Sequence, residues 1–297
     1  MPEYATLEGM IPTFVFVHGS GSSGHSWSAT QREMAARGHR TLAVDLPGRG
    51  AGITRAYYEQ DLATFAAEPS AMSDVTADDF VGQVVDAVRL ARRHGPVVLV
   101  AHSFGGLPVT AAANAIPELI DRVVYVAAQC PVDRAPGEYP GLPAWSSSDL
   151  FTATAPLLVG DPARQGFVRV NWRGADRAQR DALRRAISGE LTEEQFLQVI
   201  VTSQPDEVFW LAGTEWDHRA GKDTWGRIPH TFVRLTKDRS MPPAAQDLYI
   251  AEGDALTPEN PFDVRDLESS HAGFFRRPAG LARILDDVSV RAGAGSR

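Results

Sequence analysis

Short runs of apolar, often β-branched residues recur along the chain, and the segments between them carry apolar residues at every third or fourth position. The runs Thr13–Val17, Arg40–Asp45, Val97–Ala101, Arg122–Ala127, His230–Thr236 and Asp263–Glu268 predict strands. Between the second and third, Asp79–His94 sets Phe80, Val84, Val88 and Ala91 on one helical face. Thr76 and Asp79 have capping-box spacing at its start, and Gly95-Pro96 stops it. Strand and helix alternating over this length predict an α/β fold with a mostly parallel sheet flanked by helices.

The alternation lapses once. Between Ala128 and His230 roughly a hundred residues contain no convincing strand, too many for a bare loop. The interval opens Pro- and Gly-rich as "PVDRAPGEYPGLP" and turns helical in "RAQRDALRRAI" and "TEEQFLQVIV". It predicts a helical insertion, residues 132–228, lying over a core built from 1–131 and 229–297. Five of the six tryptophans fall in it: Trp145, Trp172, Trp210, Trp216 and Trp225. Each one alone suits the insertion's own small core; together they predict an aromatic cover over an apolar pocket. Trp145, Trp210 and Trp216, with Gly19, His25 and Trp27 of an N-terminal glycine loop, are the expected pocket wall.

Composition narrows the partners. Of 297 residues, 43% are apolar and 22% charged, the balance of a soluble globular protein with a sizeable core. Net charge is −8, and arginine pairs such as Arg92-Arg93, Arg184-Arg185 and Arg276-Arg277 read as solvated helix faces, which argues against a nucleic-acid partner. Cys130 stands alone, excluding an internal disulfide and a multi-cysteine metal site. The first residues lack a basic region and a long apolar run, so no signal peptide is expected, and no run is long enough to span a bilayer. A cytoplasmic protein without membrane attachment is expected. Its oligomeric state stays open, a homodimer included.

The candidate chemistry begins with a glycine pattern. Gly19-Ser20-Gly21-Ser22-Ser23-Gly24 follows the first strand and satisfies G-x-G-x-x-G. Asp45 ends the next strand about twenty residues on, completing the parts of a dinucleotide fingerprint. That reading needs a helix starting at the second or third glycine, so that its N-terminus meets the phosphates. Ser28 and Gln31 instead have capping-box spacing and predict a helix start about four residues beyond Gly24, leaving Gly24 in a loop. The run of small residues after His18-Gly19 suits a loop that presents backbone N–H groups.

A second pattern gives that loop a use. "VVLVAHSFGG" passes from a buried strand into Ser103 and on to the helix-like "LPVTAAANA". This is a nucleophile-elbow arrangement, with Ala101 where glycine is usual and Gly105 two residues after the serine. The serine occupies a strained strand-to-helix turn, so the residues two before and two after it must be small. A serine hydroxyl needs a histidine to take its proton and a carboxylate to hold that histidine in the right tautomer. The elbow delivers them in the order serine, acid, histidine. "HTFVRLTKD" ends near Asp238, and "DVRDLE" runs into "SSHAGFF" with His271, so both come from strand ends on the serine's side of the sheet. Asp133, after the preceding strand, is the second choice of acid; Asp266 and Glu268 lie too near His271 on an extended strand. His102 should point away from Ser103, His39 and His94 look like surface residues, and His218 and His230 are weaker pocket candidates. The glycine loop then becomes the second wall of an oxyanion hole, with the N–H groups of Ser20 and Phe104 as donors.

"FVHGSGSSGHSW", "DLPGRG", "AHSFGG", "TKDRSMP" and "SSHAGFF" together resemble the α/β-hydrolase superfamily, in the branch of methylesterases, hydroxynitrile lyases and related bacterial esterases. The matching stretches span both core segments and leave the insertion, which would be the family's cap, largely unmatched. The resemblance implies Ser103, Asp238 and His271 as a triad, Ser20 and Phe104 as oxyanion donors, and neither cofactor nor metal. The cyanogenic lyases of that branch carry a threonine after the histidine of the glycine loop and a lysine just after the catalytic histidine; Gly19 and Ala272 stand there in this chain. A leaving cyanide would therefore lack a cation. An elbow serine in place of aspartate also sets the chain apart from epoxide hydrolases and haloalkane dehalogenases. The expectation is a serine hydrolase that cleaves a carboxylic ester of a small or medium-sized, partly apolar substrate through an acyl-enzyme. A lactonase or thioesterase, a lyase or cyclase with His271 as base, and a non-catalytic receptor are the alternatives.

Overall fold

Strands that are apolar at nearly every position cannot face water on either side, and here helices cover both. The computed structural model describes residues 11–208 and 216–294, so Trp210 lies outside the described residues. Its strands are β1 Thr13–Val17, β2 Arg40–Val44, β3 Val97–His102, β4 Arg122–Val126, β5 Phe167–Arg169, β6 Asp206–Val208, β7 His230–Leu235 and β8 Asp263–Leu267. Six of them form one sheet in the order β2-β1-β3-β4-β7-β8, with every pairing parallel. These are the six strands read from the apolar runs, each ending within one residue of the expected position.

The period of two along each strand divides the core. Val15, Leu99, Val123 and Phe232 face Phe80 and Val84 of the helix Ala77–Arg92, Leu107 of Gly106–Ala115 and Tyr249 of Pro243–Leu256. Phe14, Phe16, Val98 and Val124 face Trp27, Met34 of Ser28–Ala36, and Leu281 and Leu285 of Ala279–Ala294. The Ala77–Arg92 helix starts as its spacing predicts, with Thr76 Oγ1 accepting the Asp79 N–H and the Asp79 carboxylate accepting the Thr76 N–H. The Ser28–Gln31 spacing forms no such box. A 3-10 turn, Gly24–Trp27, runs straight into the helix, Trp27 takes the N-cap position, and the Ser28 hydroxyl donates to His25 O at 2.6 Å. Gly24 belongs to that turn rather than to an open loop, and its N–H donates to Asp45 Oδ1 at 2.7 Å.

The connection from β4 to β7 holds the insertion. Its helices Leu150–Thr154, Arg177–Ile187 and Glu193–Thr202 enclose a small core of Leu157, Val170, Leu183, Phe196 and Ile200. It is not purely helical: β5 and β6 pair antiparallel, Arg169 opposite Asp206. Three-residue strands are too short to leave an alternating pattern, which is why the sequence read as helix and loop only. Arg169 and Asp206 form a fully buried ion pair at 2.7 Å, and the Arg169 guanidinium lies 4.4 Å from the Phe65 ring centre and 4.7 Å from that of Phe167. The flanks of the insertion pack differently, since Val132, Tyr139, Trp145, Trp216 and Trp225 join the main core. Among the described residues no helix is long and apolar enough to cross a membrane.

Candidate active site

Ser103 follows β3 directly, and the chain passes through a 3-10 turn, Ser103–Gly105, into the helix Gly106–Ala115. Its φ is +53°, in the left-handed region that side chains rarely occupy. Such strain persists only where the surroundings hold it. A Cβ at Gly105 would stand 2.5 Å from His18 O, and one at Gly106 2.0 Å from Gln129 O, so backbone packs on backbone here. The Gln129 N–H donates to Ser103 O at 2.9 Å and ties the turn down. Ala101, where glycine is usual, is wholly buried in β3.

Two loops from neighbouring strand ends reach the serine. Asp238 follows β7 and His271 follows β8. The structure brings all three together: His271 Nδ1 is 2.6 Å from Asp238 Oδ2, and His271 Nε2 is 2.9 Å from Ser103 Oγ. With Nδ1–H donating to the carboxylate, Nε2 offers its lone pair to the serine O–H. Asp238 Oδ1 accepts from the N–H groups of Ser240 and Met241, each at 2.8 Å. Asp238 and His271 are 3% and 7% exposed. The second-choice acid, Asp133, is at the surface, while Asp266 pairs with Arg234 and Glu268 with Lys237.

The other histidines sort themselves by contact. His102 packs its ring 4.6 Å from that of His271 and donates from Nε2 to His271 O at 2.9 Å, a contact that the sequence did not signal. Burial and then the neighbouring His271 push its pKa well below the usual histidine value. His18 Nε2 accepts the Leu46 N–H at 3.1 Å, so Nδ1 carries the hydrogen to Gly19 O at 2.8 Å. Burial, then Arg49, lowers its pKa to about 4. His39 is half-buried against Phe14 and pairs with Asp286, whereas His94 is exposed as expected. His230 stacks on Trp225 and His218 faces Asp78; neither lines the cavity described next.

The glycine loop is tied to the insertion. Glu207 Oε2 accepts the Gly21 N–H at 3.0 Å, and the Gln204 N–H donates to Gly21 O at 2.8 Å. Burial alone would raise the Glu207 carboxyl, but Arg49, 2.8 Å away, together with the N–H groups of Gly21 and Val208, outweighs it and holds the group below the usual carboxylate range. With the amides of Gly21 and Gly24 bonded to Glu207 and Asp45, two donors that a pyrophosphate would take are already engaged. Ser20 is exposed and lines the same cavity as Ser103. Phe104 is buried, its ring edge-on to that of Phe80.

A cavity of about 530 Å³ opens onto Ser20, His102, Ser103 and His271. Its wall is mostly apolar and comes largely from the insertion, with Leu150, Phe151, Leu158, Val170 and Val199 among its members. Of the expected wall, Gly19, His25, Trp27, Trp145 and Trp216 do not line it. Gly19 lies beneath Ser103, where an added Cβ would be 2.8 Å from Ser103 Cβ, and His25 faces solvent. Trp27 is packed against Phe16 and Phe275, and Trp145 and Trp216 belong to the main core. A large ring removes most surface from water when covered on both faces, which a core offers and a cavity wall does not. Trp172 does line the cavity, its Nε1–H donating to Gln204 O at 2.9 Å. Among the described residues, no group of three or more His, Cys, Asp or Glu is arranged to hold a metal ion.

Comparison with known proteins gives this geometry a context. The model of the alpha/beta hydrolase family matches residues 14–284. Methylesterase 18 of Arabidopsis thaliana is 25% identical over 274 residues, covering 92% of this chain and 95% of that protein. Among solved structures, a pyrethroid hydrolase aligns with a TM-score of 0.69 at 19% identity, over 96% of this chain and 99% of the other. Polyneuridine aldehyde esterase aligns with a TM-score of 0.68 at 19% identity, over 94% and 100%. The likeness to these two structures is one of fold.

Proposed function

The chain belongs to the alpha/beta hydrolase family, and from that premise we propose that it is a serine esterase, cleaving a carboxylic ester through an acyl-enzyme. The observation that carries the reading is the pair of contacts on His271, 2.6 Å to Asp238 and 2.9 Å to Ser103. Ser103 Oγ attacks the ester carbonyl while its proton passes to His271 Nε2. The oxyanion so formed meets the N–H groups of Ser20 and Phe104, such donors each lowering the barrier by about 3 kcal/mol. Collapse expels the alcohol, which takes the proton from Nε2. Water then gives its proton to His271 and attacks the acyl carbon, and the acid leaves as Ser103 regains its hydrogen. Asp238 stabilises the imidazolium in both halves.

The apolar wall favours a small or medium-sized, partly apolar substrate, and about 530 Å³ lies within the range of small-molecule pockets, about 300–1,000 Å³. In this reading the insertion is a cap that shapes the pocket, and the relatives called methylesterases support ester hydrolysis over lyase chemistry. Replacing Ser103 by alanine is expected to lower turnover of an activated aryl ester on the order of 10⁴-fold or more, with an unchanged circular dichroism spectrum. A fluorophosphonate should label the peptide that contains Ser103. Unchanged turnover in the variant would overturn the assignment. Product formation from a wild-type protein that resists labelling would point to a lyase or cyclase.

A further inference from the structure

The corner between the insertion's helices Arg177–Ile187 and Glu193–Thr202 meets the loop that carries His271. Glu190, in that corner, is half-buried. Its carboxylate accepts from Ser269 Oγ–H at 3.0 Å, from the Ser270 N–H at 3.0 Å and from Ser270 Oγ–H. Its backbone carbonyl accepts from Arg277 Nη2 at 2.9 Å, and Ile187 O accepts the Ala272 N–H at 2.8 Å. One corner of the insertion therefore grips the chain on both sides of His271, and His102 holds the His271 carbonyl from a third direction. Burial would raise the Glu190 carboxyl, but the bonds from Ser270 and Ser269 outweigh it and keep the anion.

We infer that Glu190 is a positioning residue of the reaction: from the insertion, it fixes the loop that presents His271 to Ser103. The inference rests on the triad reading above. Glu190 does not line the cavity, so it touches no substrate and acts only through where His271 stands. Geometry of this kind matters steeply, since a misplacement of about 1 Å costs on the order of 10²-fold in rate. Gly273 completes the arrangement. A Cβ there would lie 1.9 Å from Glu190 Oε1, with the three nearest atoms all belonging to the Glu190 carboxylate. Gly273→Ala thus perturbs the same contact from the opposite side.

The test is kinetic. Glu190→Ala is expected to lower kcat roughly tenfold or more with KM within about twofold of wild type, and to slow fluorophosphonate labelling of Ser103 to a similar degree. Glu190→Gln keeps an oxygen for the Ser270 N–H and should recover most of the loss. Gly273→Ala alone should also slow kcat, but add little in the Glu190→Ala background, where nothing remains for its methyl to strike. Should Glu190→Ala not fold, Glu190→Gln and Gly273→Ala carry the measurement. Wild-type kcat in Glu190→Ala, a loss confined to KM, or independent effects of the two substitutions would overturn the inference. A wild-type protein that never labels at Ser103 would instead overturn the triad on which it stands.

Discussion

Asp238 divides its carboxylate between two tasks, Oδ1 accepting two backbone N–H groups and Oδ2 facing His271 Nδ1. An asparagine here would leave its one oxygen where the two amides point and turn its NH₂ to the imidazole. His271 would then accept at Nδ1 and carry its hydrogen on Nε2, where it can no longer receive the serine's proton. Asp238→Asn is expected to lower kcat about 10⁴-fold while the melting temperature stays near wild type. Steady-state kinetics beside a thermal melt check this, and a variant retaining a tenth of wild-type kcat would refute the role. That Ser103, Asp238 and His271 meet was legible because they follow strands in a fixed order. His102 was not, because adjacency to Ser103 says nothing about where the ring goes: it leaves β3 in extended backbone, φ −119° and ψ 134°, and reaches His271 across the turn. Nor does a tryptophan's identity tell whether it will seal a core or wall a cavity, and here Trp145 and Trp216 do the former. Phe151 and Leu158, which line the cavity while 52% and 44% exposed, carry no local signal at all.

At the scale of elements, the elbow and the helix Ala77–Arg92 each contain a glycine whose replacement by alanine should act in opposite directions. A Cβ at Gly106 would meet Gln129 O at 2.0 Å and Gln129 N at 2.8 Å, backbone atoms fixed by the bond from Gln129 to Ser103. Gly106→Ala is expected to cost about 2–4 kcal/mol. Gly82 lies mid-helix with nothing within 4 Å of an added Cβ, and Gly82→Ala should stabilise by about 0.5–1 kcal/mol. Urea denaturation of the two variants measures both signs, and equal effects would contradict the packing argument. The same contrast explains what a single sequence revealed about elements. The four central strands, β1, β3, β4 and β7, are buried runs five or six residues long, whose apolar content is visible without knowing their neighbours, and the edge strands β2 and β8, only partly buried, follow from the same rhythm. Apart from the helices Arg177–Ile187 and Glu193–Thr202, whose patterns were visible, the insertion is assembled from strands of three residues, helices of four or five and several 3-10 turns, which owe their form to contacts with distant segments. The Arg169–Asp206 pair that closes β5 onto β6 spans 37 positions of sequence.

For the whole molecule, the buried histidines set a pH limit. Burial lowers the pKa of His18 to about 4, with Arg49 adding to it, and burial does the same for His230, also to about 4. In the unfolded chain both titrate near 6.5. Between those values the unfolded state binds the extra protons, so stability is complete above about pH 6.5 and declines as the pH falls toward 4. At pH 5 each histidine should have removed about 2 kcal/mol. His230→Phe, which keeps an aromatic ring beside Trp225, should flatten the decline by about that amount in urea melts at pH 7.5 and 5. An identical pH profile in the variant would remove His230 from the account.

The bonds from Gln204 and Glu207 to both polar groups of Gly21 also bear on how such a chain diverges. The stretch that supplies Val199, Gln204 and Val208 to the wall also steadies the loop of Ser20, so on the proposed esterase reading a substitution that reshapes ligand preference would pull on the machinery of turnover. On that reading, preference and rate would be inherited together. A chimera that borrows this stretch from a relative acquires a foreign tension along with a foreign contour, and regains speed only through a second change on the N-terminal side.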